Sequence, residues 1–110
     1  MFSSAHGNIT VSVFFDKRRA VDGDKYPVKI RVRYNRDRKD YPTGKKFSEI
    51  EWVDLPKSKS HSSKAARDEI QVSFKIIDDV VLDLFNSDSF SFDALNVRLS
   101  NGSKSLRIRL

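Results

Sequence analysis

The residues whose types and spacing point to chemistry are cations. Lys29, Arg31 and Arg33 stand at every second position of the run Tyr26–Tyr34 (YPVKIRVRY), and the positions between them are apolar. On an extended chain, alternate side chains share a face at about 6.6 Å spacing. Three cations therefore line one side, while Val28, Ile30, Val32 and Tyr34 fall on the other. Arg36, Arg38 and Lys39 continue the patch across a turn. Such side chains neutralise phosphates and release counterions, and arginine also matches the O6/N7 edge of guanine with two donors. A narrow β-sheet enters the major groove of duplex DNA. On a neighbouring strand Thr10 and Ser12 offer hydrogen bonds, and Phe14 an apolar contact for a thymine methyl. The expected interface is thus Lys29, Arg31, Arg33, Arg36, Arg38 and Lys39 with Thr10, Ser12 and Phe14.

Alternating cations are often only the solvated side of a strand, and edge lysines block aggregation. Two features favour binding. Between Lys29 and Arg38 there are four Arg to one Lys, and arginine suits planar phosphate and base recognition. The charge is also concentrated: residues 1–59 hold 14 Lys/Arg against 8 Asp/Glu, residues 60–110 hold 7 of each, and residues 25–46 hold nine against two. A field gathered in this way steers polyanions to one surface. Among the aromatics, Tyr34 and Tyr41 are candidates for base stacking, but Tyr34 reads first as core and Trp52 as a packing anchor.

Catalytic chemistry finds no support. The chain has no cysteine, hence no disulfide and no thiolate metal site. His6 and His61 lie in polar stretches with no acidic cluster spaced to complete a metal site. Asp78, Asp79 and Asp83 read as a solvated helix face, and no phosphate-binding glycine loop or activated nucleophile is visible. No cofactor, metal or small-molecule substrate is expected. No apolar run reaches the roughly 20 residues of a membrane span, and the first residues lack a signal-peptide pattern. A cytoplasmic, nucleoid-associated protein is the expectation.

The elements that must position the cations follow from periodicity. Val, Ile, Leu and Phe make up 32 of 110 residues, enough for a small packed core. Asn8–Phe15 (NITVSVFF), Tyr26–Tyr34 and Arg38–Phe47 predict three strands, the last weakened by Pro42 and Gly44 into an edge strand, a bulge, or both. Asp16–Lys25 reads as a long hairpin loop, Asn35-Arg36-Asp37 as a tight turn, and residues 1–7 as a disordered leader. Residues 48–63 read as a linker anchored by Trp52 and Leu55. Ile70, Phe74, Ile77, Val81 and Leu84 then predict an amphipathic helix over 64–86, capped by Ser62 or Ser63. A short helix begins after Ser91, with Phe90 and Leu95 as a hydrophobic staple, and ends near Ser100 before the stop signal Asn101-Gly102. The expected class is α+β: a three-stranded antiparallel meander packed on one long helix, plus a short C-terminal helix.

The run ITVSVFFDKRR, a loop, YPVKIRVRYNRDRKDYPTGKKF, a Trp, a Ser/Lys-rich gap and an amphipathic helix resembles the N-terminal arm-binding domain of tyrosine-type phage integrases. The nearest form is that of site-specific recombinases from Bacteroides-like bacteria and their conjugative transposons. The strand V-K-I-R-V-R-Y-N and the segment Tyr41-Pro42-Thr43-Gly44 carry the resemblance, which covers roughly residues 8–86. It implies a non-catalytic module whose sheet sits in the major groove of arm-type double-stranded DNA, with other recombinase protomers as further partners. Carried over by position, the groove-facing residues are Lys29, Arg31, Arg33, Arg36, Arg38 and Lys39. Phe90–Leu95 resembles the opening of the family's helical core-binding part, so residues 87–110 are expected to start a truncated domain or to form a tail. The family's catalytic part uses an Arg, a His-x-x-Arg pair and a nucleophilic Tyr. Here Ile9 follows His6 by three residues and Lys64 follows His61, so the resemblance assigns this chain no recombination chemistry. Two other readings stay open: an RNA- or single-strand-binding module built on Phe14 and Tyr41, and a protein-interaction module using the apolar stripe of Ile70–Phe85.

Overall fold

The computed structural model describes residues 2–18, 20 and 23–107, of which 101–107 are described for their backbone alone. Asp22 of the expected hairpin loop and the last three residues lie outside the described residues. The chain runs β1 (Ser3–His6), β2 (Ile9–Phe15), β3 (Tyr26–Tyr34), β4 (Asp37–Phe47), α1 (Glu49–Asp54), α2 (His61–Asn86) and α3 (Phe92–Arg107). The strands form one antiparallel sheet in the order β1-β2-β3-β4. The class is α+β as expected, but the sheet has four strands, not three.

The extra strand, β1, occupies residues expected to be a disordered leader. Its sequence, SSAH, carries no strand propensity of its own; what fixes it is pairing with β2 and a contact with α2. His6 Nε2 lies 2.8 Å from Asp78 Oδ1, and Ser4 Oγ donates to the same carboxylate. Asp78 is therefore half-buried beneath β1 and not part of a solvated face. Asp79 and Asp83 pair outside with Lys75 and Arg98.

Gly7 turns β1 into β2 at φ +62°, and a Cβ on it would lie 2.5 Å from Phe85 Cε1. The left-handed backbone and the close ring each oppose a side chain. Gly7→Ala is expected to destabilise the fold by about 1–2 kcal/mol, read as a lower melting temperature. An unchanged melt would show that β1 contributes nothing to the fold.

One face of the sheet is apolar. Ile9, Val11, Ile30 and Val32 pack with Ile77, Val81 and Leu84 of α2 and with Leu95 of α3 in one buried cluster. The α2 stripe expected from spacing thus meets the sheet, with Ile70, Ile77, Val81 and Leu84 buried and Phe74 packed against the cluster. Leu95, expected to open a separate helical part, is fully buried in this same core. Tyr34 is core-side, edge-on to Phe90 at 4.8 Å. Tyr41 also faces the helices. Its hydroxyl donates to Asn96 Oδ1 at 2.6 Å, and burial pushes its pKa up to about 12, so it remains a donor. A second cluster, Val28, Leu55 and Ile70, closes the far end, where Trp52 stacks on Phe15 at 4.8 Å.

Three boundaries differ from expectation. The stretch 48–63 contains α1, started by a Ser48/Glu51 capping box. Helix α2 begins at His61 on the N-cap Ser60, whose hydroxyl accepts from the Ser63 N–H. Helix α3 begins on Ser91, which accepts from the Ala94 N–H at 3.0 Å, but it runs through Asn101-Gly102 to Arg107.

Candidate nucleic-acid interface

Because α2 and α3 both pack on the apolar face, the opposite face of the sheet stays open. Strand pairing fixes what lies there. Thr10 pairs with Arg33 and Arg33 with Arg38; Ser12 pairs with Arg31 and Arg31 with Asp40; Phe14 pairs with Lys29 and Lys29 with Pro42. Directly paired residues point to the same side. The open face thus includes three rows, Thr10–Arg33–Arg38 near the β3–β4 turn, Ser12–Arg31–Asp40 in the middle, and Phe14–Lys29–Pro42 farther on, with Pro27–Lys46 following beyond the β4 bulge. From β1, Ala5 and Ser3 extend the first two rows.

Local geometry explains this register. A two-residue loop, Asn35-Arg36, joins β3 to β4, with Asn35 at φ 56°, a region that asparagine tolerates. Asn8 Nδ2 donates to Asn35 Oδ1 at 2.8 Å, tying the β1–β2 turn to the β3–β4 turn. Farther along, β4 bulges opposite Val28. Gly44 takes φ +82° there, and Thr43 Oγ1 donates to the Val28 carbonyl at 2.8 Å. This is the edge-strand irregularity that Pro42 and Gly44 predict.

Of the nine residues expected at the interface, eight lie on this face or its turn. Lys39 does not. It pairs with Val32 and so points to the helix side of the edge strand. Arg36 sits at the tip of the turn.

The cations of the face divide into two groups. Those of the middle and far rows are held by the chain's own carboxylates. Arg31 is 9% exposed. Its Nε and Nη2 donate to Asp40 at 2.8 and 3.1 Å, and its guanidinium carbon lies 3.6 Å from the centre of the Phe14 ring. Asp16, at the end of β2, accepts from Lys29 Nζ at 3.0 Å and from Arg18 Nε and Nη2 at 2.7 Å each. Arg18 also reaches toward Asp40 at 3.7 Å. Hydrogen bonds from Arg18 and then Lys29 hold the Asp16 pKa far below the usual carboxylate range, and the Arg31 hydrogen bond lowers Asp40. Both acids are ionised near neutral pH. Arg31, expected among the groove-facing residues, is instead the buried floor of the face.

The cations of the turn end are different. Arg33, Arg36 and Arg38 are exposed and make no ion pair among the described residues. Asp37, next to Arg38 in sequence, pairs with Tyr34 and so points away from the face, while Asp40 on the same face is hydrogen-bonded to Arg31 and attracts Arg38 only at longer range. Among the described residues, the three rows with Asp16 and Arg18 therefore bring together five cations, Arg18, Lys29, Arg31, Arg33 and Arg38, and two carboxylates, with the excess of cations at the turn end.

Arg18, Asp16 and Asp40 are missing from the expected interface. The signal for Asp40 was present, since counting outward from the turn puts position 40 opposite 31. Nothing in the sequence announces that Arg18 folds back over the face.

Aromatic stacking sites are scarce. Phe14 is half-buried with Arg31 on its ring, and Tyr41 lies on the helix side. Among the described residues there is no metal-binding group of His, Cys, Asp or Glu, and no helix is long and apolar enough to cross a membrane. No protein-family model, curated protein or solved structure matches the chain.

Proposed function

We propose that this chain binds double-stranded DNA through the open face of its sheet, as the non-catalytic arm-binding module of a tyrosine-type recombinase. In that setting other protomers would stand beside it on the same DNA. The observation that carries the reading is the uncovered sheet face with Arg33, Arg36 and Arg38, unpaired among the described residues, gathered at one end.

Dimensions support a specific docking. Four strands at about 4.8 Å spacing span roughly 14 Å between outer backbones, wider than the ~12 Å major groove. The β3–β4 hairpin alone fits, turn first. In that pose Arg36 enters deepest, Arg33 and Arg38 together meet one groove wall, and β1–β2 rides over a phosphate ridge. Lys29 and Arg31, already satisfied by Asp16 and Asp40, brace the same face away from the turn.

Two observations weigh against the competing readings. Of the α2 stripe, Ile70, Ile77, Val81 and Leu84 are buried while Phe85 at its end is exposed, so little of it is free for a partner. A single-strand reader needs aromatic platforms among its cations, and neither Phe14 nor Tyr41 presents one.

Fluorescence anisotropy with labelled duplexes tests the proposal. The logarithm of the binding constant should fall with the logarithm of salt with a slope steeper than about −2, as expected for several neutralised phosphates. An unlabelled duplex should compete better than a single strand of equal length. Equal competition by the single strand, or a flat salt response, would remove the duplex reading.

A further inference from the structure

Arg33 and Arg38 are direct cross-strand partners on the open face. Their Cα atoms are therefore about 4.5–5.5 Å apart, and both guanidinium groups project to the same side. Like charges placed opposite one another destabilise a sheet. Elsewhere on this face the chain relieves such crowding with carboxylates: Asp40 serves Arg31, and Asp16 serves Lys29 and Arg18. At Arg33 and Arg38 no carboxylate forms an ion pair among the described residues, and Asp40 attracts Arg38 only at longer range. Asp37, the acid closest in sequence to Arg38, pairs with Tyr34 on the other side of the sheet. On β2, Thr10 is the direct partner of Arg33, so a hydroxyl stands in the same row.

From this row we infer a clamp for one oxyanion. Arg33 and Arg38 together grip a single phosphodiester of the nucleic-acid backbone, and the Thr10 hydroxyl donates a third hydrogen bond to it. Two planar guanidinium groups side by side supply several N–H donors to the oxygens of one phosphate. The bound anion replaces the repulsion between the arginines with attraction. The row lies beside the loop Asn35-Arg36, so a phosphate held there fixes the tip of the hairpin relative to the groove. The inference rests on the proposed DNA binding, but it makes a narrower claim, that two arginines count as one phosphate contact.

A double-substitution cycle separates the two claims. Salt-dependent binding of a short duplex is measured for the wild type, Arg33→Ala, Arg38→Ala and the double variant, each checked by thermal melting. A shared phosphate requires each single variant to keep nearly the full salt slope, because the remaining arginine still neutralises it. The double variant then loses about 0.9 of slope, the contribution of one phosphate. A loss of about 0.9 in each single and about 1.8 in the double means two separate phosphates; it overturns the clamp and leaves duplex binding intact.

Inorganic phosphate provides a probe independent of DNA. In the wild type, the Arg33 and Arg38 side-chain N–H resonances should move together with one apparent dissociation constant. In Arg38→Ala, the Arg33 response should fall several-fold. An undiminished Arg33 response, or none in the wild type, overturns the clamp. A coupled response from a protein that binds no duplex would keep the clamp and reject the DNA reading.

Discussion

Ile30→Ala is expected to destabilise the fold by about 3 kcal/mol, the largest effect of any change considered. Ile30 is fully buried at the centre of β3, within the cluster that joins the sheet to Val81 of α2 and Leu95 of α3. Truncation removes its transfer free energy and leaves a cavity between layers that cannot close without moving a helix. In a domain of this size the melting temperature should drop by well over 10 °C, at roughly 4–8 °C per kcal/mol. Chemical denaturation would give the value directly. A change below about 1 kcal/mol would mean that the helices do not cover this face.

The adjacent residue gives the second large effect. Arg31→Ala should cost about 2 kcal/mol of stability, although its side chain belongs to the polar side of the sheet. Removing it abolishes two hydrogen bonds to Asp40 and the stack on Phe14, and it leaves a largely buried carboxylate without its main partner. Two residues further on, Arg33→Ala should leave the melting temperature nearly unchanged, because Arg33 is exposed and unpaired among the described residues. Equal melts for the two variants would contradict the division of the face into a supporting row and a contacting row.

The same network gives stability an acid limb. Asp16 and Asp40 are both depressed below the ordinary value of 3.8 in the folded chain. A depressed carboxylate contributes stability that is complete above its unfolded pKa and lost as pH falls through the folded one. The wild type should therefore begin to weaken below about pH 5 and keep weakening beneath pH 4. Arg31→Ala should show a shallower loss over that range, because folded Asp40 then loses the hydrogen bonds that lower it most.

Much of this was legible in the sequence where local pattern and tertiary structure agree. The alternation in ITVSVFF and YPVKIRVRY places the apolar and polar faces correctly, and the spacing of Ile70, Ile77, Val81 and Leu84 places the buried side of α2. The rest was set by partners distant in sequence. β1 is a strand because α2 supplies Asp78 and Phe85 to receive it, and four small or polar residues do not announce that. Helix α3 continues past Asn101-Gly102 although both residues are weak helix formers. Helix α1 did have a local signal, the Ser48-x-x-Glu51 capping box, hidden inside a stretch that otherwise reads as linker.

At the interface, composition located the cations but not their pairing state. That depends on register. Across the two-residue loop, position 31 meets Asp40, 32 meets Lys39 and 33 meets Arg38. One acid, one misplaced lysine and one like-charge pair follow from that count. A charge tally treats all these cations as equivalent, whereas the register separates those that hold the sheet together from those left available to a ligand.

Heteronuclear chemical-shift mapping during titration with a short duplex tests the central claim most directly. Perturbations should concentrate on Thr10, Arg33, Arg36 and Arg38 and fade toward Lys29, with the outer surface of α2 around Val72 and Leu82 unmoved. Perturbations centred on α2, with the hairpin silent, would place the nucleic acid on the wrong side of the molecule and contradict the account.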